Sequence, residues 1–334
     1  MNRPPETFVR VQEDRLLAFA TACFERAGLE FDHAALISRL LVNSDLRGVR
    51  SHGTRALNGY CRVFEQGNLN PRPDIRTLHQ TPTAVVLDGD STLGYLPTVR
   101  AAEAAIARAR EVGMGMGLVR HIGHYGAAGH YARMCLEAGC IGFSSQGSQN
   151  LGNARNAAAK PQIGYFGNPP ICFALPAGDE PPVVLDAATC ILADDQRGPE
   201  SDALLTKIPA AFFKSIGYTA VANLLGGALA GITLPAAAET RNRWPQARRG
   251  SVVLAIHIDT VIPKDIFCAE TDRMVRDVRN TYDPMPGTDR ALLPGAIEEE
   301  RLKEYRNQGI PYGAEEQAGA RTAGKRLGIA LPWD

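Results

Sequence analysis

His121-Ile122-Gly123-His124-Tyr125-Gly126-Ala127-Ala128-Gly129-His130-Tyr131 decides how this chain is read. It lies between an apolar run ending at Val119 and a helical pattern beginning near Ala127, so a strand gives way to a helix across it. Small residues from Gly126 to Gly129 let a ligand or a second backbone approach closely, and free N–H groups at a helix start suit an anion. The same residues also suit plain helix packing, with the histidines as satisfied core or surface groups. A second histidine-bearing segment, Ser51-His52-Gly53, tips the reading toward a site.

Working outward toward the N-terminus, the apolar positions between Val9 and Ala27 fall on a helical period that Gly28 stops. Asp32 offers an N-cap to a helix from His33 to about Leu46, with His33 exposed near its start. Gly48 to Arg55 interrupts the pattern, and a third helix follows to Gly67. Ser51 is placed to cap that helix, and His52 sits where the helix dipole disfavours a charged imidazole, which makes it a candidate proton donor. Pro71, Pro73 and Pro82 mark a linker, with a domain boundary near residue 80.

Beyond it, strands at Ala84–Gly89, Met114–Arg120 and Ile141–Ser145 alternate with helices at Thr98–Val112 and Tyr131–Ala138, which predicts an α/β domain around a sheet. Gly113-Met114-Gly115-Met116-Gly117 lacks the GxGxxG spacing and precedes a strand, so a Rossmann domain is rejected. Ser144 to Lys160 is polar and reads as a loop or lid. Val183-Val184-Leu185-Asp186 reads as a strand finishing at a carboxylate, and Ala187-Ala188-Thr189-Cys190 as a small-residue turn where a cofactor can lie against backbone. Ala193 to Ser201 is hydrophilic and expected at the surface. Lys214, ahead of an apolar helix from Tyr218 to Ala230, is a natural anion contact. The run Thr219–Leu234 is short for a membrane span and reads as a buried helix. Arg241, Arg243, Arg248 and Arg249 cluster around Trp244 ahead of a strand from Ser251 to Ile258, and the tail reads as helices interrupted by a Pro/Gly loop. The division expected is a mainly helical domain from 1–80 and 260–334, with an α/β domain at 81–259.

Composition bounds the function. Lys+Arg and Asp+Glu stand at 36 each, so no net field draws nucleic acid or an anionic membrane, and neither is expected as a partner. The 7 cysteines are scattered with no CxxC pair, which argues for reduced thiols in a cytoplasm over a disulfide framework or zinc ribbon. The charged residues between Met1 and Leu17 leave no apolar core for a secretory signal.

The ordered set Ser51-His52-Gly53 with Tyr60, His124-Tyr125-Gly126-Ala127-Ala128-Gly129, Gly167-Asn168-Pro169, Asp186-Ala187-Ala188-Thr189, Lys214 and Leu293-Pro294-Gly295 resembles the malate/L-lactate dehydrogenase family of the non-Rossmann type over most of the chain. The resemblance implies hydride exchange between NAD or NADP, bound in an unusual α/β domain with a mixed sheet, and a small 2-oxo or 2-hydroxy acid or cyclic imine acid. It implies His52 as proton donor or acceptor, Ser51 orienting it, and His124 beside nicotinamide and substrate. It implies substrate contacts from Arg55, Tyr60, Gly167 and Asn168. The dinucleotide would be held by His124, Tyr125, Gly126, Ala127 and Ala128, by Asp186, Ala187 and Ala188, and by Lys214, Ser215, Arg248 and Arg249. It also implies a homodimer.

Three features depart from the family's pattern. The arginine expected four residues after the motif histidine is Ala56 here, with Arg55 one residue early, a turn of roughly 100° on a helix. Phe166-Gly167-Asn168-Pro169 lacks the family's threonine, and the stretch from Thr189 to Lys214 is shortened. The alternative reading is a non-redox lyase or hydrolase on the same scaffold that uses Ser51 and His52 for proton transfer. A metal-dependent hydrolase using His121, His124 and His130 is weaker, because that spacing matches no standard ligand motif.

Overall fold

The computed structural model describes residues 4–148, 167–191 and 198–333. Strand β1 (Phe8–Val11) pairs antiparallel with β9 (Ile310–Gly313), which laces the two ends of the chain together. The helix expected from Val9 therefore starts later, as α1 (Glu13–Arg26), after the extended Gln12 and with Glu13 and Asp14 in the first turn where the dipole favours carboxylates. Four residues of strand with a partner at the far end of the chain leave no local periodicity to read.

Helix α2 (Phe31–Leu46) buries Ala34, Ile37, Leu41 and Leu46. His33, expected at the surface, is only 6% exposed, while Phe31 takes the outward position at 61%. Burial lowers the His33 pKa to about 4, which keeps the ring neutral. Helix α3 (Leu57–Glu65) turns Leu57, Cys61 and Phe64 inward at helical spacing. These helices share one core with α10 (Ala296–Gln308) and α11 (Ala314–Leu327), through Leu16, Phe24, Leu41, Leu57, Tyr305 and Ala323.

The second body is a mixed sheet of β2 (Arg76–Gln80), β3 (Ala84–Asp88), β4 (Met114–Ile122), β5 (Cys140–Ser148), β6 (Pro170–Leu175), β7 (Val183–Ala188) and β8 (Arg249–His257). Its order is β2-β3-β4-β8-β5-β6-β7, with β3 and β4 parallel and every other pair antiparallel. The α/β class read from the alternation holds, and the sheet is not a Rossmann sheet. The proline-marked linker contains the edge strand β2, and the polar stretch read as a loop from Ser144 is strand as far as Ser148. The rest of that stretch, 149–160, and 193–197 of the hydrophilic segment lie outside the described residues.

Helix α4 (Tyr95–Val112) presses Ala101, Ala105 and Ala109 onto the sheet. A Cβ on Gly115 or Gly117 would stand 1.9 Å from Ala105 O or 2.1 Å from Ala101 O, so the glycine run that failed as a nucleotide loop is what lets this helix seat on β4. Helix α5 (Gly129–Glu137) covers the same core with Tyr131, Ala132 and Cys135.

After α6 (Pro199–Lys207), helix α7 (Pro209–Asn223) continues into a π-turn at Leu224–Ala228, and α8 (Ala236–Arg243) and α9 (Lys264–Thr281) complete the set. The apolar run expected to be buried is covered on one face only. Phe212, Thr219 and Ala222 face inward, whereas Phe213 is 78% exposed and Tyr218, Val221, Leu224 and Leu229 are exposed with it. Among the described residues no helix is long and apolar enough to cross a membrane. All the cysteines are buried and unbridged.

Candidate active site

The site begins at a break in the sheet. Along β4 and β8, Val119 faces Ser251, but the next pair is Ile122 with Arg249. The intervening bulge, with His121 at φ 56°, ends the regular ladder and releases the loop that carries His124. That loop is tied to β5, because Gln146 Nε2 donates to Gly123 O at 3.1 Å.

A second turn arrives from the helical body. Asp45, near the end of α2, is buried, and its Oδ2 accepts the Thr54 amide at 2.8 Å and the Thr54 hydroxyl at 2.6 Å. The same hydroxyl lies 2.8 Å from the Tyr312 hydroxyl. A Cβ on Gly53 would meet Asp45 Oδ1 at 1.8 Å, so this turn closes only over glycine. Burial pushes Asp45 up to about 7, against the two bonds from Thr54. Ser51 does not cap α3 as expected. Its hydroxyl lies 2.9 Å from His52 Nδ1, and the buried carboxylate of Asp45 fastens the turn instead.

The two turns bring His52 and His124 together, with ring centroids 5.6 Å apart and planes 25° from parallel. His124 Nδ1 accepts the Gly126 amide at 3.2 Å and lies 2.6 Å from the Tyr60 hydroxyl. A nitrogen that accepts an amide hydrogen carries no proton, so Tyr60 donates to it and the ring hydrogen is assigned to Nε2. Tyr95 in turn donates to the Tyr60 hydroxyl at 3.4 Å. Burial lowers the pKa of both histidines, and for His124 the charge of Arg249 adds to the effect. Both rings are neutral near neutral pH.

Facing the pair is a cavity of about 840 Å³, a size suited to a small-molecule ligand. On the histidine side it is lined by His52, His124, Gln146 and Arg249. Ala127, Ala128, Ala187 and Ala188 also line it, with Gly129 and Asp186. Asp186 Oδ2 accepts the Gly129 amide at 2.8 Å, and burial raises this carboxyl to about 6. Arg47 of α2 and Arg133 of α5 also line the cavity, and both reach Glu299 Oε1 at 2.5 Å. Ser44 Oγ holds His130 Nε2 at 3.2 Å, and burial takes that imidazole to about 3.

Of the residues singled out from sequence, Ser51, His52, His124, Ala127, Ala128, Gly167, Asn168, Asp186, Ala187, Ala188 and Arg249 line this cavity. Tyr60 stands behind it, against His124. Tyr125 is core, stacked on Tyr131 with centroids 4.9 Å apart, and Gly126 touches the site through its amide. Arg55 is 2.5 Å from Glu315 at the surface. Lys214 is exposed on α7, and Arg248, also exposed, donates to Pro245 O at 3.0 Å. Ser215 is a buried clasp, donating to Thr189 O at 2.7 Å and accepting the Ile191 amide at 3.0 Å. Neither Lys214, Ser215, Arg248 nor Arg55 lines the cavity.

Sequence reasoning missed Asn43, Ser44, Arg47, Arg133, Gln146 and Glu298, all of which line it. The available signal was the polar run Asn43-Ser44-Asp45 within the last turns of the second helix. His121, once grouped with His124 and His130, instead contacts Asp88 at 3.2 Å. Among the described residues no three His, Cys, Asp or Glu side chains are grouped to hold a metal ion.

The comparisons agree with this architecture. A family model described as malate/L-lactate dehydrogenase matches residues 11–198 and 200–318. A malate dehydrogenase of Pyrococcus horikoshii is 35% identical over 187 residues, which is 56% of this chain and 51% of that protein. An L-sulfolactate dehydrogenase of Methanocaldococcus jannaschii is 28% identical, over 86% of this chain and 88% of its own length. The solved structure of the malate dehydrogenase from Pyrococcus horikoshii superposes with a TM-score of 0.83 at 25% identity, covering 99% of both chains. The bulged strand, the paired histidines and the cavity they line thus sit in a chain that belongs to the malate/L-lactate dehydrogenase family, a family of oxidoreductases.

Proposed function

We propose that this protein transfers a hydride between NAD or NADP and a small 2-oxo or 2-hydroxy acid, or a cyclic imine acid, with His52 moving the proton. The observation that carries the reading is the stacked His52–His124 pair at a cavity that four alanines also line. Ala127, Ala128, Ala187 and Ala188 leave room for a flat ring, and the Asp186 carboxyl offers an acceptor at its edge, so the residues present fit a nicotinamide. Family members generally use such a cofactor, which supplies or removes the hydride when bound.

The chain's own part is orientation and proton transfer. His52, neutral because it is buried and held through Nδ1 by Ser51, takes the hydroxyl proton when a 2-hydroxy acid is oxidised and returns it to oxygen in the reverse direction. His124, held by Tyr60 and the Gly126 amide, points a neutral Nε2–H at the same oxygen and stabilises the charge that develops there. Asp45 keeps the His52 turn closed from behind. The exposed apolar side chains along one face of α7 support a homodimer in which a second copy covers them.

Loss of reduced-nicotinamide absorbance, followed with NADH and NADPH against a panel of 2-oxo acids and cyclic imine acids, tests the proposal. Turnover of at least one pair, absent in His52→Ala, is expected. A protein that binds neither dinucleotide contradicts the oxidoreductase reading and leaves a lyase or hydrolase using Ser51 and His52.

A further inference from the structure

Arg249 opens β8, the strand that runs between β4 and β5, and its backbone sits between Ile122 on one side and Ser148 on the other. Its side chain lines the cavity beside His52 and His124, and its Nη1 donates to Gln146 Oε1 at 3.1 Å. Gln146 is itself buried and anchored on Gly123 O, so the guanidinium is held on a fixed support next to the reacting pair. The positive charge acts on His124 and Tyr60, which places it within electrostatic reach of both.

What sets Arg249 apart from the other arginines of the cavity is that no described carboxylate serves as its counter-ion. Arg47 and Arg133 share Glu299, and Arg55 is paired with Glu315 outside the cavity. Among the described residues no carboxylate forms an ion pair with Arg249. A guanidinium withdrawn from water is costly unless an anion meets it, and its planar fork matches a carboxylate through two parallel hydrogen bonds.

We propose that Arg249 binds the substrate's carboxylate, making the histidine end of the cavity a subsite for acids whose charge is adjacent to the reacting carbon. This rests on the oxidoreductase reading for the reaction but not for the anion. With the carboxylate on Arg249, the neighbouring carbon's oxygen lies toward His52 and His124. A bound carboxylate also offsets the field of Arg249 on His124, so substrate binding makes that imidazole easier to protonate. Amides and esters of the same acids lack the charge and are poor ligands.

Oxalate, an unreactive dicarboxylate of the right shape, is titrated calorimetrically into the full chain with and without NADH present. Wild type binds oxalate; Arg249→Gln weakens it by about thirtyfold or more, the scale of a lost charge-assisted pair, while NADH affinity stays within about threefold. Arg249→Lys retains part of the binding, and Gln146→Glu, which supplies an internal counter-ion, weakens oxalate with the arginine still in place. These two variants carry the test if Arg249→Gln does not fold. The proposal is overturned if Arg249→Gln loses NADH as strongly as oxalate, since the residue then contacts cofactor phosphate. It is equally overturned if oxalate binding is unchanged, or if wild type takes up no oxalate in either state. Oxalate binding that depends on Arg249 in a protein that never binds NADH or NADPH sustains the subsite and removes the oxidoreductase reading alone.

Discussion

The two walls of the cavity are built on different principles. The His52 wall is a tight turn borrowed from the helical body and fastened by one buried carboxylate, Asp45, through both polar groups of Thr54. The Asp186 wall is the end of a strand, already fixed by its pairing with β6, and needs only the Gly129 amide to finish it. Charges near the second wall are matched internally, Arg47 and Arg133 on Glu299 and Arg133 beside Asp186, whereas Arg249 on the first has no such match among the described residues. A wall with spare polar capacity suits chemistry, and one with its charges settled suits holding a flat ligand.

The contrast is sharpened most strongly by His52→Ala. It removes the proton-transfer group and opens no core cavity, so kcat/KM falls by about a hundredfold or more with the melting temperature nearly unchanged. Activity within a few-fold of wild type shifts the proton-transfer role to His124. Asp45→Ala comes next. It leaves the Thr54 amide without its acceptor and costs about 1–3 kcal/mol in urea unfolding, with kcat falling further than KM changes because the His52 turn loosens. If the turn is held by other contacts, stability falls and kcat does not.

The pH profile gives a smaller effect. Because burial lowers the His52 pKa, its base form persists below the ordinary histidine value of about 6.5. Oxidation of a 2-hydroxy acid therefore stays active at mildly acid pH, with its acid limb below that value. Reduction, which needs the protonated ring, speeds up as pH falls. An acid limb at or above the ordinary value contradicts the buried placement of the ring. On the holding side, Phe213→Glu together with Leu224→Glu on the exposed α7 face converts a dimer to monomer in sedimentation at low concentration. A sedimentation profile identical to wild type contradicts a dimer through this face. Lys214→Ala has the smallest effect, changing dinucleotide affinity by less than about threefold, because the side chain is exposed and does not line the cavity.

The same contrast explains what was legible in the sequence. Periodic helices and apolar strands were readable, because local side-chain spacing reports the face that is buried. Strands β1 and β9 were not, since each is stabilised by a partner at the other end of the chain. His52 and His124 were legible as motif residues, but Tyr60's bond to His124 and the anchoring of Arg249 by Gln146 depend on the crossing of three separate segments. Asp45 looked like one more polar residue at a helix end, and its role shows only where Gly53 closes over it. Lys214 was singled out by its position before an apolar helix, which fixes the backbone and says nothing about which way the side chain faces.

The central claim is that one wall holds a dinucleotide while the other moves the proton. Calorimetric titration of NADH and NADPH into wild type and His52→Ala, side by side with turnover, tests it most directly. The account predicts that at least one dinucleotide binds both proteins with affinities within about threefold while turnover is lost only in the variant. Absence of binding to wild type up to about millimolar dinucleotide, in protein shown to carry none already, would contradict it.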